Sequence, residues 1–281
     1  MPNLSTSVSV HCFNDFSEKR GINQHRARLR HVQGEKTTVL DDKRKPLSEY
    51  IDDGEALIMV NDLGAQVSWE TVFYEEYGGP IVIIFLLLAL SRPIYGRPAS
   101  ELTFKQKVGT GMALFHYVKR EMETIFVHRF SLDTMPLINL FKNCTGYWLV
   151  FGVLTMGFFL RPTEDQGYSI ADRVFFALFA LFELLNLKCH LILKDLRKPG
   201  TTERGIPCGF GFNQVSCANY LWELCSWIAF AGFCQTNFGA WLFVFLSLST
   251  MGPWAVKKHK RYRKEFPDYP RNRKAMIPFI F

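Results

Sequence analysis

The chain has 281 residues and a formal net charge of +7, and 48% of its residues are hydrophobic, with 26 phenylalanines. This length permits one or two domains. Because the basic residues gather between long apolar runs, the positive-inside bias of membrane proteins explains the charge better than nucleic-acid binding does. The seven histidines form no H-x-x-x-H or H-x-x-H-H box and the seven cysteines no C-x-x-C pair. This argues against a histidine-ligated di-iron enzyme, a zinc hydrolase or any metal site.

The first 70 residues are polar and alternate short β-like runs with turns. The patterns predict strands at 8–13, 27–32 and 56–60 and a short helix at 47–51. This order suggests a small N-terminal β-grasp-like cytosolic module over residues 1–67, ubiquitin-like in form, which we expect to be a cap without chemistry. No apolar core follows the start of the chain, so we expect an internal helix rather than a secretory signal to direct insertion.

From residue 68 onward, long apolar segments alternate with polar loops. We place these segments at 81–90, 108–127, 144–160, 170–187, 219–234 and 238–256. This predicts a polytopic α-helical membrane protein of about six spans in the lipid bilayer. An even count, a basic 188–216 loop and a basic tail at 257–264 place both termini in the cytosol. The basic segment 92–107 would then be lumenal, so a re-entrant segment or a different count, seven spans included, stays open.

Polar residues lie just before the apolar segment 81–90 and inside the segment 108–127. Glu75 and Glu76 stand before the apolar run at 81–90, either as an ordinary surface pair or as a buried acid able to donate to a carbonyl. In the segment 108–127, His116, Arg120 and Glu123 fall on one helical face with Tyr117 beside them. Lipid cannot accept such a face, so it must line a cavity or a partner helix.

Residues 183–227 form two apolar segments that contain polar residues and are joined by a basic turn. Asn186 and His190 precede the turn, and Asn219, Tyr220 and Glu223 follow it. Ionisable groups at membrane depth are functional candidates. The turn offers guanidinium and ammonium groups that suit an anionic ligand, unless it is simply a charged loop that obeys topology rules. These groups belong to Arg197, Lys198 and Arg204.

Several motifs carry a family resemblance. LRKPG at 196–200 with IP at 206–207, ANYLWE at 218–223 with SW at 226–227, and the closing YRKEFPDYPRNRKAMIPFIF resemble the steroid 5-alpha-reductase superfamily. Within it, HYVKREMETIFVHRFS and MPLINLFKNCTGYW are similar to very-long-chain trans-2-enoyl-CoA reductases. The similarity covers residues from about 55 to 281, so residues 68–281 read as the membrane catalytic domain.

The resemblance implies an oxidoreductase of the endoplasmic reticulum membrane. Such an enzyme reduces the trans-2 double bond of very-long-chain enoyl-CoA with NADPH, the last step of fatty-acid elongation, within lipid and sphingolipid biosynthesis. The implied partners are the enoyl-CoA substrate and other elongation enzymes. Three alternatives stay open: a steroid or polyprenol 4-ene reductase, a membrane methyltransferase of the isoprenylcysteine type, and a ubiquitin-like membrane adaptor. The adaptor does not explain the charged segment 108–127.

The resemblance also implies site residues. Glu76 and Tyr117 become the groups that bond the substrate carbonyl, and Tyr220 is a further catalytic candidate in the enoyl-CoA branch. Donors at that oxygen would stabilise an enolate, and a general acid would protonate the α-carbon. Two implied cofactor contacts depart from the family pattern. His190 stands where steroid reductases have an acid, and Arg204 is displaced by one residue when the sequences are aligned without gaps. The implied NADPH contacts are Arg120, Asn186, His190, Arg197, Arg204, Asn219, Glu223, Tyr262 and Arg273.

Overall fold

A computed structural model describes residues 26–33, 36–39, 57–130, 134–165, 167–197 and 205–281. The predicted strand at 8–13, the predicted helix at 47–51, and Lys198 and Arg204 of the basic turn lie outside these residues. The chain divides into two compact units. The first comprises Met1–Trp69 with Leu132–Leu140, and the second Glu70–Ser131 with Phe141–Phe281.

The first unit contains two small antiparallel sheets within the described residues. Strand β1 (Ala27–Gln33) lies between β2 (Lys36–Val39) and β3 (Leu57–Asp62). Strand β4 (Gln66–Ser68) pairs with β5 (Thr134–Pro136). These ranges confirm the strands predicted at 27–32 and 56–60, with shifted ends. The β-grasp-like module and its boundary at residue 67 stay predictions, because its other two elements lie outside the described residues.

Alternation along β1 explains why this strand forms. Leu29 and His31 are buried, whereas their neighbours Arg28 and Arg30 are half-buried, which is the period of two expected for a strand with one covered face. At its open end, Arg26 and Asp62 form a fork of two hydrogen bonds at 3.0 and 2.6 Å. The hydrogen bond from Arg26 holds the pKa of the Asp62 carboxyl below its usual value.

The remaining chain is mostly helical. Helix α1 spans Trp69–Ala89, α2 Ser91–Tyr95, α3 Phe104–Phe126 and α4 Leu137–Phe159, whose middle part, Thr145–Met156, is π-helical. Helix α5 spans Ile170–Asp195, α6 Ala218–Phe233 and α7 Phe238–Glu265. Capping boxes begin α3, at Thr103 with Gln106, and α5, at Ser169 with Asp172. Each box satisfies two backbone N–H groups that a helix start leaves unpaired.

Four of the described helices, α1, α4, α5 and α7, are long and apolar enough to cross a membrane. Helix α3 has 23 residues but is rich in charged ones, and α6 has 16 residues, fewer than the roughly 20 that a span needs. The count of about six spans therefore stays a prediction. The apolar run at 81–90 proves to be the second half of α1, which starts at Trp69 and so places Glu75 and Glu76 inside the helix.

An aromatic core joins the long helices of the second unit. Trp227 of α6 packs edge-on against Phe151 of α4 at 5.0 Å and against Phe243 of α7 at 4.9 Å between ring centroids. Such pairs contribute about 0.5–1.5 kcal/mol each beyond their area burial. At Gly79, an added Cβ would lie 1.9 Å from Nε1 of Trp148, so glycine is required where α4 approaches α1. This core borders the polar face of α3, where the His116 ring lies 4.2 Å from that of Trp227 between centroids.

Candidate active site

The polar face of α3 is buried and contacts α5. Arg120 Nη1 donates to Glu123 Oε2 at 2.5 Å and lies 3.1 Å from His190 Nδ1, which is itself 3.0 Å from that carboxylate oxygen. The other guanidinium nitrogen, Nη2, donates to the Tyr77 hydroxyl at 2.8 Å. Arg120 thus connects α1, α3 and α5. Removing one member of such a buried ionic group costs about 3–5 kcal/mol, because the partner charge is left unpaired.

A second chain of contacts runs one turn away along the same helices. His116 Nδ1 lies 2.8 Å from Glu183 Oε1, and Lys119 Nζ lies 2.8 Å from the other oxygen of that carboxylate. Lys119 also donates to Asn186 Oδ1 at 2.7 Å. Glu183, Asn186 and His190 are spaced by three and four residues, which puts them on one face of α5 opposite α3.

Helix α6 completes this arrangement from its first two turns. Asn186 Nδ2 donates to the backbone carbonyl of Asn219 at 2.9 Å and to Glu223 Oε2 at 3.0 Å. Glu223 Oε1 lies 3.4 Å from His116 Nε2. We call this set the ion network, and it comprises His116, Lys119, Arg120, Glu123, Glu183, Asn186, His190, Asn219 and Glu223. Five of the implied cofactor contacts therefore come together in one cluster.

Tyr117 lies beside the ion network with its hydroxyl unsatisfied. Its side chain is fully buried, and among the described residues its oxygen has no hydrogen-bond partner. The rings of Phe151, Trp227 and Tyr77 surround it at 5.0, 5.8 and 6.4 Å between centroids. A buried hydroxyl without a partner costs about 1–3 kcal/mol. An acceptor from a bound molecule would remove that cost.

Glu76 is buried, whereas its neighbour Glu75 is exposed. The Glu76 side chain is 5% exposed, and its Oε1 accepts a hydrogen bond from Asn143 Nδ2 at 2.7 Å. An ordinary surface pair is therefore wrong for Glu76 and holds for Glu75 alone. Because residue 77 follows directly and binds Arg120, α1 carries Glu76 to the edge of the ion network.

The third catalytic candidate, Tyr220, belongs to a different group. Its hydroxyl accepts a hydrogen bond from Lys258 Nζ of α7 at 2.8 Å. The hydrogen bonds and ring contacts of Tyr220 in the described part of the chain join it to α7 and not to Tyr117 or Glu76. Helical geometry explains this, since Tyr220 shares the α6 face of Cys217 and Leu224, which packs on α7 and the tail.

The tail supplies the rest of this second group. The ring of Tyr262 stacks on that of Tyr269 at 5.4 Å, and the guanidinium of Arg273 lies 5.2 Å from the Tyr269 ring centroid. Ser216 Oγ lies 2.7 Å from the Tyr269 hydroxyl and 2.6 Å from Nδ1 of His259. We call this set the tail cluster, and it comprises Ser216, Tyr220, Lys258, His259, Tyr262, Tyr269 and Arg273.

Comparison with known proteins identifies the family of this chain. Residues 133–281 match the model of 3-oxo-5-alpha-steroid 4-dehydrogenase, the steroid 5-alpha-reductase superfamily. The chain belongs to this family. The resemblance inferred from the sequence motifs is thereby confirmed.

Relatives within the steroid 5-alpha-reductase superfamily match most of the chain. A Schizosaccharomyces pombe protein named as an enoyl reductase is 43% identical over 255 residues, covering 90% of this chain and 85% of the relative. The very-long-chain enoyl-CoA reductase of Dictyostelium discoideum is 43% identical over 229 residues, covering 80% and 75%. A Caenorhabditis elegans protein named as a very-long-chain enoyl-CoA reductase is 39% identical over 274 residues, covering 94% and 87%.

Two residues that the superfamily resemblance assigns to a cofactor retain unused donors. Nε of Arg120 and Nε of Arg273 are buried and have no hydrogen-bond partner among the described residues. Arg273 Nη1 donates to the Pro207 carbonyl at 2.9 Å, which holds its guanidinium in place. Arg197, at the end of α5, and Arg129 each donate to the backbone carbonyl of the other. The unpaired Nε donors of Arg120 and Arg273 can bind oxygen atoms of a dinucleotide.

One set of side chains in the described part of the chain has the spacing of a metal site. Glu123, His128 and His190 each offer a ligand atom, and these atoms lie within 4.8 Å of one another. Burial and then the charge of Arg120 lower the pKa of His128 to about 2, so its ring is neutral at pH 7. The Arg120 guanidinium already contacts both Glu123 and His190. That fixed cation makes a second positive charge costly there.

Sequence reasoning assigned no role to several residues of these two groups, Lys119, Glu183 and Lys258 among them, nor to Asn143, which binds Glu76. Lys119 and Glu183 lie inside apolar segments, and this position could have predicted that each has a buried partner, since charges at membrane depth need partners. Asn143 and Lys258 carried no such signal. Asn143 lies in a moderately polar stretch, and Lys258 is one of several lysines in a basic tail.

Proposed function

We propose that this protein reduces the trans-2 double bond of very-long-chain enoyl-CoA with NADPH, at the last step of fatty-acid elongation. The fully buried Tyr117 hydroxyl carries the proposal, because it is an unpaired donor at the edge of a charged network inside an apolar core. The names of the relatives, enoyl-CoA reductases of high coverage, support the substrate class.

The chemistry requires stabilisation of an oxyanion. When the β-carbon of an α,β-unsaturated thioester accepts a hydride, negative charge develops on the carbonyl oxygen, and donors aimed at that oxygen lower the barrier. Tyr117 offers its O–H for this purpose, and Glu76 in its acid form offers a second. Tyr220 is the donor that we assign to the α-carbon. Bound NADPH would supply the hydride.

The two clusters differ in the cofactor groups that they suit. The ion network contains the carboxylates Glu123, Glu183 and Glu223 against the cations Lys119 and Arg120. These carboxylates repel phosphates but can accept hydrogen bonds from hydroxyls and carboxamides of a cofactor. The tail, with Arg273 and its exposed basic neighbours, suits the phosphates, as does Arg197.

The surface of α3 supports a membrane position for this helix despite its charges. Phe115, Val118, Met122 and Ile125 are each about half exposed and fall on the face opposite the ion network. An apolar outer stripe and a charged inner face suit a helix that crosses the bilayer among other helices. We therefore propose six spans, with both termini in the cytosol and the protein in the endoplasmic reticulum membrane beside other elongation enzymes.

The experiment uses the full chain purified in detergent with trans-2-hexadecenoyl-CoA and NADPH. We expect NADPH consumption that depends on the enoyl-CoA, together with formation of the saturated acyl-CoA by mass spectrometry. Reduction of a 4-ene steroid with no reduction of enoyl-CoA would instead assign the steroid branch. Thermal stabilisation by S-adenosylmethionine but not by NADPH would contradict the proposal altogether.

A further inference from the structure

Lys258 differs from the other lysines of the basic segment that ends α7. Its Nζ donates to the Tyr220 hydroxyl at 2.8 Å and lies 4.5 Å from the centroid of that ring. Lys258 is half-buried, whereas Lys257 and Lys260 are exposed. One ammonium of the segment is therefore turned towards α6 and bound to a phenol that the proposed function uses.

Packing between α6 and α7 brings the two side chains together. Cys217 and Ala255 are buried in one apolar cluster, and Cys217 Sγ lies 4.0 Å from the Ala255 carbonyl. Tyr220 and Lys258 each follow three residues after this contact, so they share its helix faces, and their side chains meet beside it. The backbone of residues 215–217 also pairs with Lys274 and Ala275 of the tail, which fixes the start of α6.

The partner of this ammonium is unusual for a half-buried lysine. Among the described residues, no carboxylate lies within salt-bridge distance of Lys258, and its hydrogen bond goes to a neutral phenol. Placing an ammonium away from water without a counter-ion is destabilising. Arrangements that break a local rule in this way are concentrated at functional sites.

We propose that Lys258 is a positioning residue for Tyr220, which it holds and whose phenolate it stabilises when Tyr220 protonates the α-carbon. This inference rests on the proposed function. Because Tyr220 accepts the hydrogen bond from Lys258, its own O–H remains available for donation. No other hydrogen bond of that hydroxyl occurs in the described part of the chain.

The proton transfer balances with these two residues and water. The O–H bond of Tyr220 breaks as a C–H bond forms at the α-carbon, with the electron pair of the enolate. The electron pair of the O–H bond remains on the phenolate oxygen. There the ammonium of Lys258 stabilises the charge through a charge-assisted hydrogen bond. A proton from the solvent then restores the Tyr220 hydroxyl, and it is the one proton that the reduction consumes besides the hydride.

The test compares Lys258→Met, Lys258→Arg and the matched control Lys257→Met in the full chain in detergent. We expect Lys258→Met to lower kcat at least about tenfold, within the range for impaired general acid catalysis, while both KM values change by less than about twofold. Lys258→Arg keeps the charge and should recover most of kcat. Lys257→Met should match the unaltered protein.

A second comparison asks whether Lys258 acts through Tyr220. In a Tyr220→Phe background, Lys258→Met should lower kcat little further, because residues that act as a unit are non-additive. Two independent, multiplying losses would overturn the proposal. So would a raised KM for NADPH with unchanged kcat, which would assign Lys258 to a cofactor phosphate.

Two controls are needed. One distinguishes misfolding of the variant from loss of the proposed role, and the other distinguishes failure of the proposed function from failure of this inference. If Lys258→Met unfolds in detergent, Lys258→Gln repeats the test, since the amide keeps a donor without the charge. Unchanged kcat in Lys258→Gln would then overturn the role of the charge. If the unaltered protein reduces no enoyl-CoA, the proposed function fails. Normal turnover in both the unaltered protein and Lys258→Met would remove only the role of Lys258.

Discussion

The ion network and the tail cluster draw on similar residue types, but they satisfy their polar groups differently. In the ion network, Arg120 and Asn186 each bind several partners from two or three helices, and most members are buried. In the tail cluster, Ser216 and Tyr269 are buried and connected to each other, whereas the pair of Tyr220 and Lys258 is half-buried. Buried groups with several partners hold a fixed geometry, whereas a half-buried pair with one hydrogen bond can adjust to a ligand.

We expect the largest loss of stability when a residue of the ion network that has several partners is substituted. Glu183→Ala leaves His116 and Lys119 without their shared carboxylate, so the free energy of unfolding should fall by about 3–5 kcal/mol. Thermal unfolding in detergent measures this loss. The matched control Glu164→Ala, in an exposed loop, should change stability by no more than about 0.5 kcal/mol. Equal stabilities of the two variants would show that the network is not a structural unit.

The next effect concerns Tyr117, which touches the network without being paired to it. Tyr117→Phe keeps the ring packing and removes a hydroxyl that has no partner, so thermal stability should stay near that of the unaltered protein. If this hydroxyl stabilises the oxyanion, kcat should fall about 10²–10³-fold. Glu76→Gln should behave similarly, and exposed Tyr74→Phe serves as the control. Normal turnover with reduced protein levels would assign both residues to the fold.

A smaller effect is expected for the guanidinium fork of the tail cluster. Arg273→Lys retains the charge but loses the planar donors, including the unpaired Nε. If these donors bind a cofactor phosphate, the KM for NADPH should rise about tenfold, since a hydrogen bond to a charged group contributes about 1.5–3 kcal/mol. Steady-state kinetics measures the change, with the exposed Arg173→Lys, outside both clusters, as the control. An unchanged KM for NADPH would remove Arg273 from the site.

The smallest effect should come from the hydroxyl at the centre of the tail cluster. Ser216→Ala removes contacts to His259 and Tyr269, and it should lower stability by about 1–2 kcal/mol in thermal unfolding. Ser249→Ala, on the exposed side of α7, is the control. A loss as large as that of Glu183→Ala would mean that the two clusters do not differ as we describe.

The amino-acid sequence by itself determined much of the local structure and the family. Helical spacing predicted that His116, Arg120 and Glu123 share a face, and the structure buries that face against α5. Period-two patterns predicted two strands of the N-terminal sheet. The motifs of the tail identified the family that the comparison confirms. These signals are local, because each depends on residues within a few turns of one another.

Tertiary structure alone decided which polar residues meet. His116 and Glu183 are 67 residues apart in the sequence, and so are Glu76 and Asn143, so no periodicity links them. It also decided that Tyr220 faces Lys258, because one turn of α6 presents Asn219 and Glu223 to α5 but Tyr220 to α7. A helix displays every face in its sequence pattern. Only the packing of its neighbours determines what each face contacts.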